Sequence, residues 1–256
     1  MTDLDAYVCF KPAVQLTNVA RASKGPILDP SNKRFLVDPG NASALESALV
    51  LRERGEVRHV ISISIGPEAF DNTLAWCRAA GADKVLRVDV PAGLNLDARA
   101  TATLLADTIF ALGGKLVLTA QRSIDESNGL VAAALASNLK AAYLSNVVDI
   151  QILNDEVKVS RKIERGHRQL WSAGLPAVVA VSNEIGQPRY PSSRRMIQSR
   201  RNPPTVFRAD ELLSDPAPKK MSIKLLTVPE VQGDCEIIEG VDPKEKATNL
   251  LQNLRE

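Results

Sequence analysis

The sequence predicts an α/β fold: a mainly parallel sheet with helices on both faces, Rossmann-like, followed by a β-hairpin and an extended C-terminal tail. Two observations carry this reading. Short β-branched runs alternate with Ala- and Leu-rich stretches of helical length from Tyr7 as far as Leu139, with Gly or Gly-Pro at several of the joins. Beyond that point the alternation stops, and two strand-like runs flank the turn-forming pair Asn154-Asp155. A chain that alternates in this way places its ligand site beyond the carboxyl ends of its parallel strands.

Taken in order, Tyr7 to Phe10 reads as a first strand that Pro12 ends, and an irregular stretch rich in Gly, Pro and Asn follows. Pro39 to Gly55 carries Ala44, Leu45, Ala48 and Leu51 on one helical face, and Gly55 stops it. Val57 to Ile65 is a β-branched strand ending in Gly66-Pro67, from which a second helix runs to the neighbourhood of Ala80. Gly81-Ala82-Asp83 turns the chain into a strand over Lys84 to Val88. A helix over Asp97 to Leu112 follows, closed by Gly113-Gly114. Leu116 to Thr119 is a compact strand, Ala120 to Asn128 a polar loop, and Gly129 to Leu139 an Ala-rich helix. Val147 to Leu153 and Glu156 to Lys162 form the hairpin, and Ala177 to Val181 is a further buried strand. From Asn202 onward Pro and charge are frequent until a polar helix near Pro243 to Leu254. The expected division is an α/β domain over residues 1–201 and a tail over 202–256 that packs on another surface.

Composition excludes several classes. With 45% apolar and 24% charged residues in 256, the chain can bury a full core and has no disordered or membrane character. No apolar run approaches the roughly 20 residues of a membrane span, and the acidic start lacks a signal-peptide layout, so a cytoplasmic location without membrane insertion is expected. Three scattered cysteines and two histidines give neither a disulfide framework nor a metal site. A net charge of +2 makes no case for nucleic acid, although Arg189, Arg194, Arg195, Arg200 and Arg201 crowd together.

Four strand-end loops are the candidate site: Lys11-Pro12, Asp38-Pro39-Gly40-Asn41, Ile65-Gly66-Pro67 and Ala120 to Gly129. The last is the most informative. Gln121, Arg122, Ser123, Asp125, Ser127 and Asn128 stand just before a helix whose first N–H groups can receive a phosphate, and Arg122 can add a charged fork. The bland alternative is a capped helix after a solvated loop. Cys9 reads as a small buried apolar residue rather than a reactive thiol. Asp125 and Glu126 have no nucleophile or metal ligand beside them, which argues against a hydrolase.

Read together, these loops resemble the β subunit of electron-transfer flavoproteins. Asp38 to Ala48 is similar to that family's Asn-Pro-Phe-(Asp/Cys)-Glu-Ile-Ala-Val-Glu-Glu-Ala, and Ile63-Ser64-Ile65-Gly66-Pro67 to its Val-Ser-x-Gly-Pro. Leu118 to Asp125 is similar to Leu-Leu-Gly-Lys-Gln-Ala-Ile-Asp, and Pro188-Arg189-Tyr190 repeats Pro-Arg-Tyr. Val159 to Ala180 follows the family signature with departures at Arg165 and Trp171, and the tail, with a strand-like Met221 to Leu226, matches in length and order.

The resemblance implies a heterodimer that relays electrons from a dehydrogenase to a quinone oxidoreductase or another acceptor. The larger α subunit would carry most of the FAD site, and this chain a second adenine-nucleotide site for structural AMP. A bifurcating member would hold a second FAD there and use NAD; a free-standing adenine-nucleotide-binding regulator, or a subunit that has lost its nucleotide, are the alternatives. By position, the nucleotide contacts would be Cys9, Asp38, Pro39, Gly40, Asn41, Ile65 and the loop Ala120, Gln121, Arg122, Ser123, Ile124, Asp125, Glu126, Ser127 and Asn128. Partner docking falls to Tyr190, Ser193, Arg194, Arg195 and Met196.

Departures shape the expectation. The loop Ile124 to Gly129 is three residues shorter than the family's Ile-Asp-Asp-Asp-x-Asn-Gln-Thr-Gly. Asp38 replaces the family's Asn and suits adenine N–H or ribose hydroxyls rather than phosphate. Ser193 replaces the leucine that carriers serving acyl-CoA dehydrogenases insert into their donor, so a donor of another kind is expected. Lys162, where the family often has an acidic residue, and Leu16, where a Tyr sits near the flavin, point to an altered interface.

Overall fold

The computed structural model describes residues 2–15, 19–22, 25–28, 34–90, 96–209 and 235–254. Leu16 and the strand expected over Met221 to Leu226 lie outside them. In the larger unit, β1 (Ala6–Cys9) and β2 (Ala13–Gln15) are followed, beyond a separate hairpin of β3 (Val19–Ala22) and β4 (Gly25–Leu28), by β5 (Arg34–Leu36), which pairs antiparallel with β2. Then come α1 (Pro39–Glu53), β6 (Val60–Ile65), a 3₁₀ turn over Glu68–Phe70, α2 (Asp71–Ala80), β7 (Lys84–Asp89), α3 (Ala98–Ala111), β8 (Leu116–Ala120) and α4 (Val131–Leu139). The chain continues through β9 (Ala142–Leu153), β10 (Glu156–Lys162), β11 (Arg168–Gly174), β12 (Ala177–Val181), α5 (Ser193–Arg200) and β13 (Thr205–Arg208).

One nine-stranded sheet has the order β11-β10-β9-β12-β8-β1-β6-β7-β13. Every pairing from β9 across to β13 is parallel, while β10 runs antiparallel to both β9 and β11. The α/β expectation holds. Side-chain alternation explains the helices on both faces: Ala6 and Val8 point into a cluster with Leu45, Leu49 and Leu74 of α1 and α2. Tyr7 and Cys9 point the other way, toward Leu105, Ile109 and Leu135 of α3 and α4.

Local chemistry sets the ends. Asp38 caps α1 through the Asn41 N–H and Pro39 occupies its first turn, while Asp97 caps α3 through the Ala100 N–H. The Asn154-Asp155 turn takes φ of 51° and 60°, the left-handed pair that a two-residue hairpin demands. Arg87 on β7 is a buried cation held by Asp71, Asp89 and the Gly66 carbonyl, so a charge inside the sheet is fully partnered.

Three elements of the sheet fall where no strand was expected: β11, β13 and the first half of β9. The smaller unit contains the β3–β4 hairpin and α6 (Pro243–Asn253). In α6, Asp242 caps the helix by accepting from the Lys244 and Glu245 N–H groups, and Glu245 reaches back to accept from the Val241 N–H just ahead of the cap. None of the helices in the described residues is long and apolar enough to cross a membrane.

Candidate functional site

The chain leaves β1 through α1 for β6 and β7 on one side, then returns through α3 to β8 on the other. Strand order therefore reverses between β1 and β8, which opens a crevice at their carboxyl ends. Three of the four predicted loops meet there. Lys11, just beyond β1, places its Nζ 2.9 Å from Asp125 and 3.1 Å from Glu126. Its backbone carbonyl accepts from Asn41 Nδ2 at 3.2 Å. Asp38 Oδ1 accepts from Asn41 N–H at 3.0 Å, and its Oδ2 accepts from Ile124 N–H at 2.7 Å.

Asp125 is the hub of the cluster. It also accepts from Val14 N–H at 3.2 Å, and only 8% of its side chain is exposed. Burial pushes its pKa up, but hydrogen bonds from Lys11 and Ser123, the Lys11 charge and the Val14 N–H outweigh it and hold the carboxyl below its ordinary value. Gly40 is where the first turn of α1 comes closest to β8: a Cβ there would stand 3.0 Å from both Ala120 Cβ and Asn183 Oδ1.

The 120–129 loop is anchored at its root. Gln121 N–H donates to the Val181 carbonyl and Gln121 Oε1 accepts from Asn146 N–H at 2.8 Å, which ties the loop to β12 and to the bend of β9. Ser127 and Gly129 take left-handed φ of 51° and 64° as the loop winds into α4. Leu130 N–H goes to Asn128 Oδ1, and α4 begins at Val131 with no side-chain cap. The N–H groups of the first turn are thus left for an acceptor from outside the helix. Arg122 is exposed beside this turn and makes no ion pair among the described residues.

The remaining predicted residues divide. Pro39 is exposed at the first turn of α1. Ile65 ends β6 on the same edge of the sheet, but Gly66 is bonded toward β7, its N–H to the Val88 carbonyl at 3.0 Å. The Cys9 thiol is buried toward α3 and α4, and burial pushes it up to about 12, so it is inert. Tyr190 is 93% exposed, and Ser193, Arg194 and Arg195 are exposed with it. Met196 instead turns inward against the core. Arg161 lies 4.1 Å over the Trp171 ring, and Lys162 pairs with Glu184, so the charge that departs from the family pattern finds its partner within the chain. Sequence reading passed over Asn183, although polar Ser182-Asn183 directly follows a parallel strand on the same edge.

Fold and crevice together define a parallel α/β protein with a crevice at the reversal of strand order. The family profile described as the electron transfer flavoprotein domain matches residues 27–212. The chain belongs to the electron transfer flavoprotein family, on the side of its β subunits. It is 28% identical over 255 residues to the caffeyl-CoA reductase-Etf complex subunit CarD of Acetobacterium woodii, covering 97% of each chain. It is 27% identical to the electron transfer flavoprotein subunit beta of Sus scrofa, covering 100% of this chain and 98% of that one. With the Methylophilus methylotrophus subunit beta the identity is 29%, over 83% of each.

Proposed function

We propose that this chain is the smaller subunit of a heterodimeric electron carrier, pairing with a larger α subunit that holds most of an FAD site and binding a structural AMP in the crevice between β1 and β8. One observation carries the AMP reading: the open first turn of α4, with Arg122 beside it, at the point where Lys11, Asp38 and the 120–129 loop are bonded together. The residues fit an adenylate. First-turn N–H groups and a guanidinium suit a phosphate, and Gly40 lets the first turn of α1 close against Ala120 and Asn183 beside them. The Lys11–Asp125 bond explains how a shortened loop still holds its shape.

The flavin supplies the redox chemistry, and this chain's residues fix and shield the second nucleotide and present a docking face. Tyr190, Ser193, Arg194 and Arg195 form that face, and with Ser193 in place of an apolar anchor the donor is not a standard acyl-CoA dehydrogenase. A second reading, a bifurcating subunit with FAD in the crevice and an NAD site in the complex, draws support from the likeness to CarD over nearly the whole chain.

Co-expression with the large subunit, followed by mass analysis of released nucleotides, tests both: about one flavin and one AMP per heterodimer for the carrier, about two flavins for the bifurcating form. A complex holding neither nucleotide would overturn both, and rapid reduction of the complex by an acyl-CoA dehydrogenase would overturn the donor assignment.

A further inference from the structure

The helix α5 is fastened at both ends. Before it, Arg189 donates from Nε and Nη2 to Glu46 and from Nη1 to Glu53 on α1. After it, Pro203-Pro204 lead into β13, which enters the sheet beside β7. Between the ends, the Ser199 hydroxyl donates to the Ala75 carbonyl of α2 at 2.5 Å. Around this bond the two helices leave a cleft of about 200 Å³.

Buried Leu74 and Val85 give the cleft an apolar lining, and Arg78 of α2, Arg200 of α5 and the Asn72 amide give it a polar one. The side chains of Arg78, Arg200 and Asn72 make no ion pair or hydrogen bond among the described residues. One carboxylate reaches the lining, that of Asp71, and it is taken: its Oδ1 accepts from Nε of the buried Arg87 at 2.7 Å. Between Glu184 and Asp210 the sequence has no acidic residue to answer the two free guanidiniums. Each arginine stands in the last turn of its helix, where a cation complements the helix dipole, and that accounts for either one alone. It does not account for both lining one small cleft, where like charges beside apolar side chains repel.

We infer that the cleft between α2 and α5 is a small-anion site that takes a phosphate dianion, free or as the terminal group of a small phosphate ester. Two positive charges match a dianion, and two guanidinium forks with an amide offer N–H donors to several of its oxygens at once. The volume is below the roughly 300–1,000 Å³ of sites that enclose larger organic ligands, so a phosphoryl group fits and a nucleoside does not. Bound there, the anion adds a second tie between α2 and α5 to the one Ser199 makes.

The test uses the heterodimer co-purified with its large subunit, freed of phosphate and held at constant ionic strength, with AMP in excess to fill the crevice. Inorganic phosphate should raise the thermal midpoint by a few degrees over chloride and saturate at roughly 1–10 mM. In titration calorimetry Arg78→Gln and Arg200→Gln should each weaken phosphate binding about tenfold or more. Asn72→Asp, which puts a carboxylate on the exposed rim and leaves both arginines in place, should weaken it likewise. Lys84→Gln/Lys115→Gln, a charge change at the amino-terminal edge of the sheet, should bind as wild type does. Midpoints in chloride serve as the folding control. Glycerol phosphate supports the site at any affinity the arginine variants reduce: parity with inorganic phosphate assigns it to esters, and much weaker binding to the free ion.

A wild-type heterodimer with no saturable response to phosphate would overturn the inference, as would equal affinities in wild type, Arg78→Gln and Asn72→Asp. So would phosphate binding seen only when AMP is left out, since the ion would then sit at the first turn of α4.

Discussion

Asp38 shows how one side chain joins two loops. Two backbone N–H groups, those of Asn41 and Ile124, converge on it, and a carboxylate accepts both at once. The family's Asn would turn its NH2 toward one of them. Asp38→Asn should therefore lose about 1–3 kcal/mol of stability and the protection of the Ile124 amide. Asp38→Ala should lose a further kcal/mol or so as the cap of α1 goes. Urea midpoints and hydrogen exchange at Ile124 decide it, and an Asn variant as stable and as protected as wild type would refute the two-acceptor account. Asp125 makes the matching prediction for pH. A carboxyl held below its ordinary value contributes stability above its unfolded pKa, near 4, and loses it as pH falls through the folded value. The stability gap between wild type and Asp125→Asn should be full at pH 7 and close below about pH 4, read from urea midpoints across that range. A gap that persists in acid would assign the role of Asp125 to shape rather than charge.

Among the elements, β6 carries an avoidable cost. Its Ser62 and Ser64 hydroxyls are buried; Ser62 lies against the Cys77 thiol, and Ser64 has no hydrogen-bond partner among the described residues. Ser64→Ala should be neutral or stabilise by about 1 kcal/mol, because an unmade buried hydrogen bond penalises the fold. A loss of more than that on thermal unfolding would show that the Ser64 hydroxyl is satisfied. The strand itself was plain from its β-branched run, as was β12, whose bounds match the Ala177 to Val181 reading residue for residue. Central strands are buried on both faces and write themselves as apolar runs. Edge strands do not: β11 is exposed at every residue but Ala173, and β13 follows Pro203-Pro204 in a polar stretch, so neither has a period to read. The first half of β9 was hidden for another reason. Its register shifts where it meets β12, near the left-handed Asn146, which breaks the alternation. The loops of the site were legible because polar residues stood directly after strands. Their bonds were not, since Lys11 and Asp125 are brought together from across the sequence by the order of β1 and β8.

At the level of the molecule, apolar surface remains uncovered at Leu170 on the open edge of the sheet, at Phe110, and on α6 at Leu250 and Leu251, followed by Leu254. Unprotected edges and apolar patches of this kind drive self-association. The chain expressed alone should therefore sediment as a concentration-dependent mixture. With its large subunit it should become a single species whose thermal midpoint is higher by several degrees. A lone chain that stays monomeric at high concentration would contradict this. The arginine-bearing helix has the opposite character, because the Arg189 clamp on α1 and the return strand beside β7 pin it at both ends. Whatever meets α5 meets a rigid plate, so little ordering has to be done on contact.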